Sequence, residues 1–317
     1  MSSEFAFVFP GQGSQAVGML DAWAGHAAVR EAVAEASEAL GEDIGALIQH
    51  GPKEVLALTT NTQPVMLVAG VAAYRAWLAE GGAIPAVVAG HSLGEYSALV
   101  ASGVLTLSQA APLVRFRAAA MQSAVPVGVG AMAAILGLAS DLVVKGCQDA
   151  SATFEAGAAD VVEAVNFNDP MQTVIAGSKA GVDKACEVLK AMGAKRALPL
   201  PVSAPFHSSL MKPAAEQLRE RLADTTFAVP QISVLNNIDV QVETDAQRIR
   251  DALYRQAFGP VRWVECVKQI KSMGISHLVE CGPGKVLAGL TKRIDAELTG
   301  LALYDPATLA DVKGALS

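Results

Sequence analysis

The sequence predicts an α/β protein with a mainly parallel β-sheet and a smaller inserted subdomain. The first observation behind this prediction is a set of short apolar runs, each followed by glycine or polar residues and then by an alanine-rich helical pattern. The runs are Phe5 to Phe9, Ala86 to Ala89, Ile232 to Leu235 and His277 to Glu280. Short strands that alternate with helices are typical of an α/β fold, because a helix is the usual crossover between parallel strands.

The second observation is a change of pattern between Gly128 and Leu200. Here the predicted order is strand, helix, strand, strand, helix, strand, which is the ferredoxin-like order. The elements are strand Ala131 to Leu136, helix Ala139 to Ala150, strand Val161 to Phe167, strand Gln172 to Gly177, helix Gly181 to Met192 and strand Ala194 to Leu198. The sequence therefore predicts a small ferredoxin-like subdomain at residues 128–199, inserted into a large α/β catalytic subdomain of residues 1–127 and 200–317.

The composition places the chain in the globular class. Of its 317 residues, 52% are hydrophobic and 17% are charged, which is far from the composition of disordered chains. The net charge of −7 argues against nucleic acid as the main partner, since that function needs a basic surface. The longest apolar stretch, Val65 to Tyr74, is about half the length of a membrane span. Because the first residues lack the basic segment of a signal peptide, we expect a cytoplasmic protein with no membrane association.

The cysteines give no sign of a metal or disulfide site. They form no CxxC pair and have no histidine at a metal-ligand spacing, and they are Cys147, Cys186, Cys266 and Cys281. We expect buried free thiols and no bound metal.

A candidate nucleophile, Ser92, lies in a GxSxG motif between an apolar strand and the start of a helix. In this setting the serine occupies a sharp strand-to-helix turn, and glycine at both flanks allows the chain to pass closely. The backbone N–H of Leu93 would then face a developing oxyanion, helped by the positive end of the helix. The motif alone is weak, because the chain has 28 glycines, and a plain glycine-rich turn is the alternative.

A serine hydroxyl needs a base, and histidine is the usual one. Of the five histidines, His26, His50 and His277 occupy positions that favour a structural role, and His91 would project away from its neighbour Ser92. By elimination the candidate base is His207, in a proline-rich loop between a strand and a helix. By itself this histidine is equally well explained as an ordinary loop residue.

A glycine-rich turn, Pro10 to Gln15, follows the first strand, at the edge where open α/β sheets bind ligands. It lacks the GxxxxGK pattern of a phosphate loop. Two interpretations stay open: a tight turn, or a second oxyanion donor at Gln12. The later Gly282 to Lys285 segment is better explained as a strand-to-helix turn.

Together these segments resemble the family of malonyl-CoA:acyl-carrier-protein transacylases, which is related to the acyltransferase domains of polyketide synthases. The matching stretches occur in order along the whole chain, and they are FVFPGQGSQ, NTQP, AGHSLGEYSAL, AMQSAVP, GAMAAILGL, VNFNDP, FHSSLM, NNID and ECGPGKVLAGL. Nine motifs in one order are far more specific than GxSxG alone. The resemblance implies a hydrolase-like α/β core with a ferredoxin-like insertion.

The resemblance also implies roles for individual residues. Ser92 would be the nucleophile and His207 the base, with Gln12 and Leu93 as oxyanion donors. The substrates would be malonyl-CoA and the phosphopantetheine thiol of an acyl-carrier protein, and the intermediate would be a malonyl-serine ester. No metal or redox cofactor is expected, since the coenzyme A thioester is a substrate.

Two further roles come from the resemblance alone. Arg117 would bind the substrate carboxylate, although its local sequence is that of a solvated helix residue. Gln256 matches the residue whose main-chain carbonyl orients the histidine, which explains why no acidic third member of a triad stands out. One departure is Met171, where the family pattern usually has glycine, so a loop that needs positive φ would have to change.

Two rival functions remain at this point. A serine esterase or thioesterase could share Ser92, His207 and the oxyanion donors, but Arg117 and the inserted subdomain argue against it. A non-catalytic scaffold that binds the carrier protein would leave the serine, histidine and arginine unexplained. A local basic patch for the acidic carrier is expected at Lys190, Lys195 and Arg196, which could equally form a solvated helix end.

Overall fold

A computed structural model describes residues 4–155, 160–202 and 204–317. Among these residues the strands are β1 (Phe5–Phe9), β2 (Val87–Gly90), β3 (Gly130–Leu136), β4 (Val162–Asp169), β5 (Gln172–Ser178), β6 (Arg196–Pro199), β7 (Ser233–Leu235), β8 (His277–Cys281) and β9 (Thr299–Leu303). The helices are α1 (Ala27–Leu40), α2 (Ile44–His50), α3 (Lys53–Leu56), α4 (Thr59–Ala79), α5 (Gly94–Ala101), α6 (Leu107–Ser123), α7 (Ser140–Ser151), α8 (Lys179–Ala191), α9 (Lys212–Ala223), α10 (Ala246–Gln256), α11 (Trp263–Ser272), α12 (Val286–Ile294) and α13 (Pro306–Leu316). No helix in the described part of the chain is long and apolar enough to cross a membrane.

The first sheet is parallel and has the strand order β7-β2-β1-β8-β9. Its central strand, β1, is buried along its whole length, as expected for a parallel strand covered by helices on both faces. The four strands predicted for this sheet are all present, with ends shifted by one residue at most. Strand β9 was missed because its residues are only half-buried at the sheet edge and include Thr299 and Gly300.

The second sheet is antiparallel, in the order β4-β5-β3-β6, and helices α7 and α8 pack together on it. This is the ferredoxin-like arrangement, and the predicted order of six elements is confirmed. The sheet lies wholly between Gly130 and Pro199. The proposed division of the chain at residues 128 and 199 stays a prediction.

Two helices bring distant parts of the chain to the carboxyl end of the parallel sheet. Helix α4 is apolar and almost entirely buried, so its first turn is held in the interior of the protein. Helix α6 packs against it and begins with a capping box in which Thr106 and Gln109 satisfy each other's backbone N–H groups. Strand β4 of the second sheet contacts the segment between α10 and α11, since Phe167 N–H donates to Val261 O at 3.0 Å.

Candidate active site

Ser92 lies on the sharp turn between β2 and α5. Its φ is 53°, a left-handed conformation that non-glycine residues rarely adopt. A Cβ on Gly90 would lie 1.9 Å from the carbonyl carbon of Gly94, and a Cβ on Gly94 would lie 2.0 Å from the carbonyl oxygen of Phe9. Both flanking glycines are therefore required by close backbone approach, and the predicted turn geometry is confirmed.

His207 meets Ser92 across 115 residues of sequence. Its Nε2 lies 2.6 Å from Ser92 Oγ, and its Nδ1 lies 2.8 Å from the carbonyl oxygen of Gln256. Since the carbonyl can only accept, Nδ1 carries the proton and Nε2 is left to accept from the serine. The structure thus brings the sequence-predicted serine and histidine together, with the backbone of Gln256 behind the ring.

His207 is buried, with 4% of its surface exposed, and the surroundings of its ring disfavour the imidazolium. Burial lowers the pKa of His207 to about 3, and the positive charge of Arg117 adds to this effect. The imidazole is therefore neutral at physiological pH, which is the state in which it can accept a proton.

Arg117 is buried inside the protein and is only 1% exposed, so the interpretation as a solvated helix residue is wrong. Its Nη1 donates to Gln63 Oε1 at 2.6 Å, and its Nη2 donates to Gln256 Oε1 at 3.0 Å and to Ser92 Oγ at 3.3 Å. Its Nε has no hydrogen-bond partner among the described residues. Burial lowers the pKa of Arg117, opposed by the nearby Tyr96 and Glu95. The guanidinium therefore lies next to the serine hydroxyl, and no carboxylate of the described residues forms an ion pair with it.

The two candidate oxyanion donors differ in their surroundings. Leu93 is fully buried and immediately precedes α5, and Gln12 is exposed on the turn after β1. Neither backbone N–H donates to an acceptor in the described parts of the chain. The Gln12 side chain accepts a hydrogen bond from Thr59 Oγ1 at 2.6 Å. Both N–H groups are consequently available to an incoming oxyanion.

Sequence reasoning gave no role to two polar residues beneath the serine. Asn237 Oδ1 accepts from the Ser92 N–H at 2.8 Å, and Asn237 Nδ2 donates to Gly90 O at 2.7 Å. The buried Glu95 accepts from the Asn237 N–H at 3.0 Å and from Gln256 Nε2 at 2.9 Å. Burial raises the pKa of Glu95 to about 7. The available signal was their position inside the stretches AGHSLGEYSAL and NNID, where a polar residue stands among buried neighbours.

The His91 side chain does not hydrogen-bond to Ser92. Its Nε2 lies 2.8 Å from Asn168 Oδ1, and its ring centroid lies 5.6 Å from that of Trp263. Met171 is not among the described non-glycine residues with positive φ, and its N–H donates to Asp169 Oδ1 at 2.8 Å. The β4–β5 turn is therefore compatible with methionine at this position.

A groove of about 410 Å³ lies over the Gln12 turn. Its lining includes Leu58 and Thr59 as well as Val202 and Phe206. These last two residues belong to the segment that leads from β6 to His207, so both loops that carry candidate site residues contribute to the lining of the groove. Nowhere in the described ranges do three or more His, Cys, Asp or Glu side chains group as a metal site would require.

A parallel α/β sheet with a strained serine at a strand-to-helix turn, hydrogen-bonded to a neutral histidine, is typical of enzymes that transfer or hydrolyse acyl groups. The chain belongs to the acyl transferase family, since the family model for the acyl transferase domain matches residues 6–294.

Individual relatives resemble the chain along nearly its whole length. It is 54% identical to the malonyl CoA-acyl carrier protein transacylase of Escherichia coli strain K12, covering 97% of this chain and 98% of that protein. It is 65% identical to the acyl-carrier-protein S-malonyltransferase of Burkholderia pseudomallei, whose crystal structure matches with a TM-score of 0.94 over 98% of this chain and 99% of that one. A malonyl-transacylase solved in complex with a type II polyketide synthase acyl-carrier protein is 49% identical, with a TM-score of 0.95 over 99% of this chain and 100% of that one.

Proposed function

We propose that the protein transfers a malonyl group from malonyl-CoA to the phosphopantetheine thiol of an acyl-carrier protein, through a malonyl-serine ester on Ser92, in fatty-acid biosynthesis. The observation that carries the proposal is the position of Ser92 Oγ, 2.6 Å from Nε2 of a neutral histidine and 3.3 Å from Nη2 of the buried Arg117. This arrangement supplies a nucleophile, a base and a cation for a substrate carboxylate at one point.

The first half-reaction acylates the enzyme. His207 Nε2 takes the proton of Ser92 Oγ as the oxygen attacks the thioester carbonyl, and the N–H groups of Leu93 and Gln12 stabilise the oxyanion. The carbon–sulfur bond then breaks, and coenzyme A leaves with the proton from His207. The backbone carbonyl of Gln256 holds the ring in the required tautomer and stabilises the transient imidazolium.

The second half-reaction regenerates the serine. His207 takes the proton of the carrier's thiol, the sulfur attacks the ester carbonyl, and the same N–H groups receive the oxyanion. The ester bond to Ser92 breaks, and the serine oxygen recovers its proton from His207. Both steps move one acyl group and one proton, so they need no resident metal or redox cofactor, and ping-pong kinetics follow.

Selection of the malonyl group falls to Arg117. A carboxylate one methylene away from the reacting carbonyl would lie beside this guanidinium, and a charge-assisted hydrogen bond in a buried site is strong. An acetyl group would leave the cation without its partner. A thioesterase does not need such a cation, which favours transfer of a carboxylated acyl group over plain hydrolysis. We also propose that the protein acts in the cytoplasm, because coenzyme A esters and carrier proteins are its substrates.

One experiment separates this proposal from its rivals. The protein is incubated briefly with malonyl-CoA, with and without acyl-carrier protein, and the protein masses are measured. We expect a malonyl adduct on the peptide that contains Ser92, followed by malonylated carrier when the carrier is added. Release of free malonate with no carrier product would establish a thioesterase, and absence of any acyl-serine would establish a non-catalytic role.

A further inference from the structure

A chain of side-chain hydrogen bonds connects Arg117 to the turn that carries Gln12. Arg117 Nη1 donates to Gln63 Oε1 at 2.6 Å, and Gln63 Nε2 donates to Thr59 Oγ1 at 3.2 Å. Thr59 Oγ1 in turn donates to Gln12 Oε1 at 2.6 Å. The two middle side chains, Gln63 and Thr59, each accept one bond and donate the next in the same direction, so the bonds polarise one another.

The middle residues of this hydrogen-bond series are buried in a helix, whereas its last residue is exposed on a turn. Gln63 is 0% exposed and Thr59 is 7% exposed, and both lie in the first two turns of the buried helix α4. Gln12 is exposed, and the next residue, Gly13, has a φ of 116°. Within the described ranges, the bond from Thr59 is the hydrogen bond that Gln12 makes. Glycine-flanked turns are intrinsically flexible, so this bond restrains Gln12, the exposed part of the turn, relative to the buried helix.

We propose that Thr59 and Gln63 are positioning residues that tether the Gln12 turn to Arg117. The guanidinium that binds the substrate carboxylate would thereby also hold the Gln12 N–H in place for the oxyanion. This inference rests on the proposed function, since it assigns a purpose to the residues that connect two of its site groups. Its expected signature is a slower acylation step with little change in malonyl-CoA binding, because an oxyanion donor acts in the transition state.

The first test removes the hydroxyl of Thr59. Thr59→Val keeps the shape of the side chain but removes both the bond from Gln63 and the bond to Gln12, while Thr59→Ser retains the hydroxyl. We expect Thr59→Val to lower the rate of Ser92 acylation at saturating malonyl-CoA by about tenfold, since misplacement of a site group by about 1 Å can cost up to about 100-fold. The half-saturating malonyl-CoA concentration should change by less than about twofold, and Thr59→Ser should restore most of the rate.

The matched control is Thr62→Val in the same helix. Thr62 is also buried, at 1% exposure against 7% for Thr59, and its hydroxyl donates to Leu56 O at 2.7 Å, outside this series of hydrogen bonds. This variant should lower the melting temperature by a few degrees, as a lost buried hydrogen bond does, and leave the acylation rate unchanged. Equal slowing by Thr62→Val would show that Thr59→Val acts through general stability, which would overturn the proposal.

The second test approaches the same bond from the exposed side, where folding is not at risk. Gln12→Ala keeps the backbone N–H but removes the tethered carbonyl, and it should slow acylation by about the same tenfold. If both substitutions act through one bond, the double variant should also lose about tenfold and not about 100-fold. Multiplied losses, or a Gln12→Ala variant that acylates at the parent rate, would refute the tether.

These outcomes are separate from the proposed function itself. Failure of the parent protein to form a malonyl adduct on Ser92 would refute the proposed function. A parent protein that forms the adduct, together with a folded Thr59→Val variant of parent rate, would refute the tether alone.

Discussion

Charged groups are used differently in the regions of the two sheets. At the carboxyl end of the parallel sheet, Arg117 and Glu95 are 1% and 2% exposed and share Gln256 as a hydrogen-bond partner. On the antiparallel sheet's helices, charges form exposed pairs such as Lys145–Asp149 and Lys179–Asp183, both at 2.8 Å.

Exposed pairs contribute about 0–1 kcal/mol and are screened by salt, whereas buried charges alter the pKa of their neighbours and discriminate strongly among partners. Substitutions in the parallel-sheet region should therefore change the chemical step or the preference among acyl groups. Substitutions in the antiparallel region should change the rate at which the protein encounters other molecules.

The largest expected effect is that of Ser92→Ala, which removes the only proposed nucleophile. We expect complete loss of the malonyl adduct in mass spectrometry after brief exposure to malonyl-CoA, with an unchanged circular dichroism spectrum, because the turn depends on its glycines. Ser97→Ala, a buried serine on α5, is the control and should keep the adduct. An adduct on another residue in the parent protein would contradict the assignment.

Arg117→Ala should have the next largest effect, on acyl preference more than on rate. A site built around a polar group rejects analogues that lack it by up to about 10⁴–10⁵, and this discrimination should largely disappear with the guanidinium. The measurement is the ratio of kcat/KM for malonyl-CoA to that for acetyl-CoA. Arg115→Ala, two residues away on the same helix and half-buried, should leave the ratio unchanged. Equal losses for both substrates in Arg117→Ala would make Arg117 a structural residue.

The pH dependence provides a third test of the buried charges. Since the pKa of His207 is lowered to about 3, the base stays neutral down to pH 5, and the acylation rate should be nearly flat from pH 8 to pH 5. A histidine of ordinary pKa would lose about 30-fold over this range. Glu95, whose pKa is raised to about 7, titrates in the same window, so Glu95→Gln serves as the control. A decline with a midpoint near 6.5 in both proteins would contradict burial of the base.

The same burial affects stability in a defined direction. The unfolded state binds a proton at His207 below about pH 6.5 and the folded state does not, so this stabilising contribution is present above pH 6.5 and is lost as the pH falls toward 3. Glu95 acts in the opposite sense, because its folded pKa is raised: its contribution is present below about pH 4.5 and is lost as the pH rises through 7. The acylation rate should therefore be measured only at pH values at which an unfolding experiment shows that the protein is folded.

The smallest expected effect belongs to the exposed cations of the antiparallel region. Lys190, Lys195 and Arg196 are exposed, and in the described parts of the chain none of them forms an ion pair. If they attract the acidic carrier, replacing all three with glutamate should raise the KM for the carrier severalfold and weaken its salt dependence, since rim charges act mainly on encounter. Formation of the malonyl-enzyme should stay normal.

The control for this variant changes the net charge by the same amount. Lys145, Lys179 and Lys184 are exposed lysines of the same region, each paired with an acidic neighbour on its own helix. Replacing these three with glutamate should affect the carrier's KM less. Equal effects of the two triple variants would mean that overall charge, and no particular surface, attracts the carrier.

The sequence by itself determined the order of the elements in the antiparallel region, four of the five strands of the parallel sheet and the geometry of the serine turn. The antiparallel sheet could be predicted because its six elements follow one another and each shows its own periodicity. The Ser92 turn could be predicted because Gly90 and Gly94 stand at its flanks and only glycine permits such close backbone approach.

The tertiary structure decided which polar groups meet at the serine. The strands β7, β2, β1 and β8 are neighbours in the parallel sheet but far apart in sequence, so Ser92, Arg117 and Gln256 come together only when the sheet and its helices have packed. Arg117 shows most clearly what local sequence does not predict. Its segment has the pattern of an ordinary helix surface, but in the structure it is buried against polar partners 54 and 139 positions away. Local periodicity records which face of an element is apolar, but it does not record which distant polar partner allows a charge to be buried on that face.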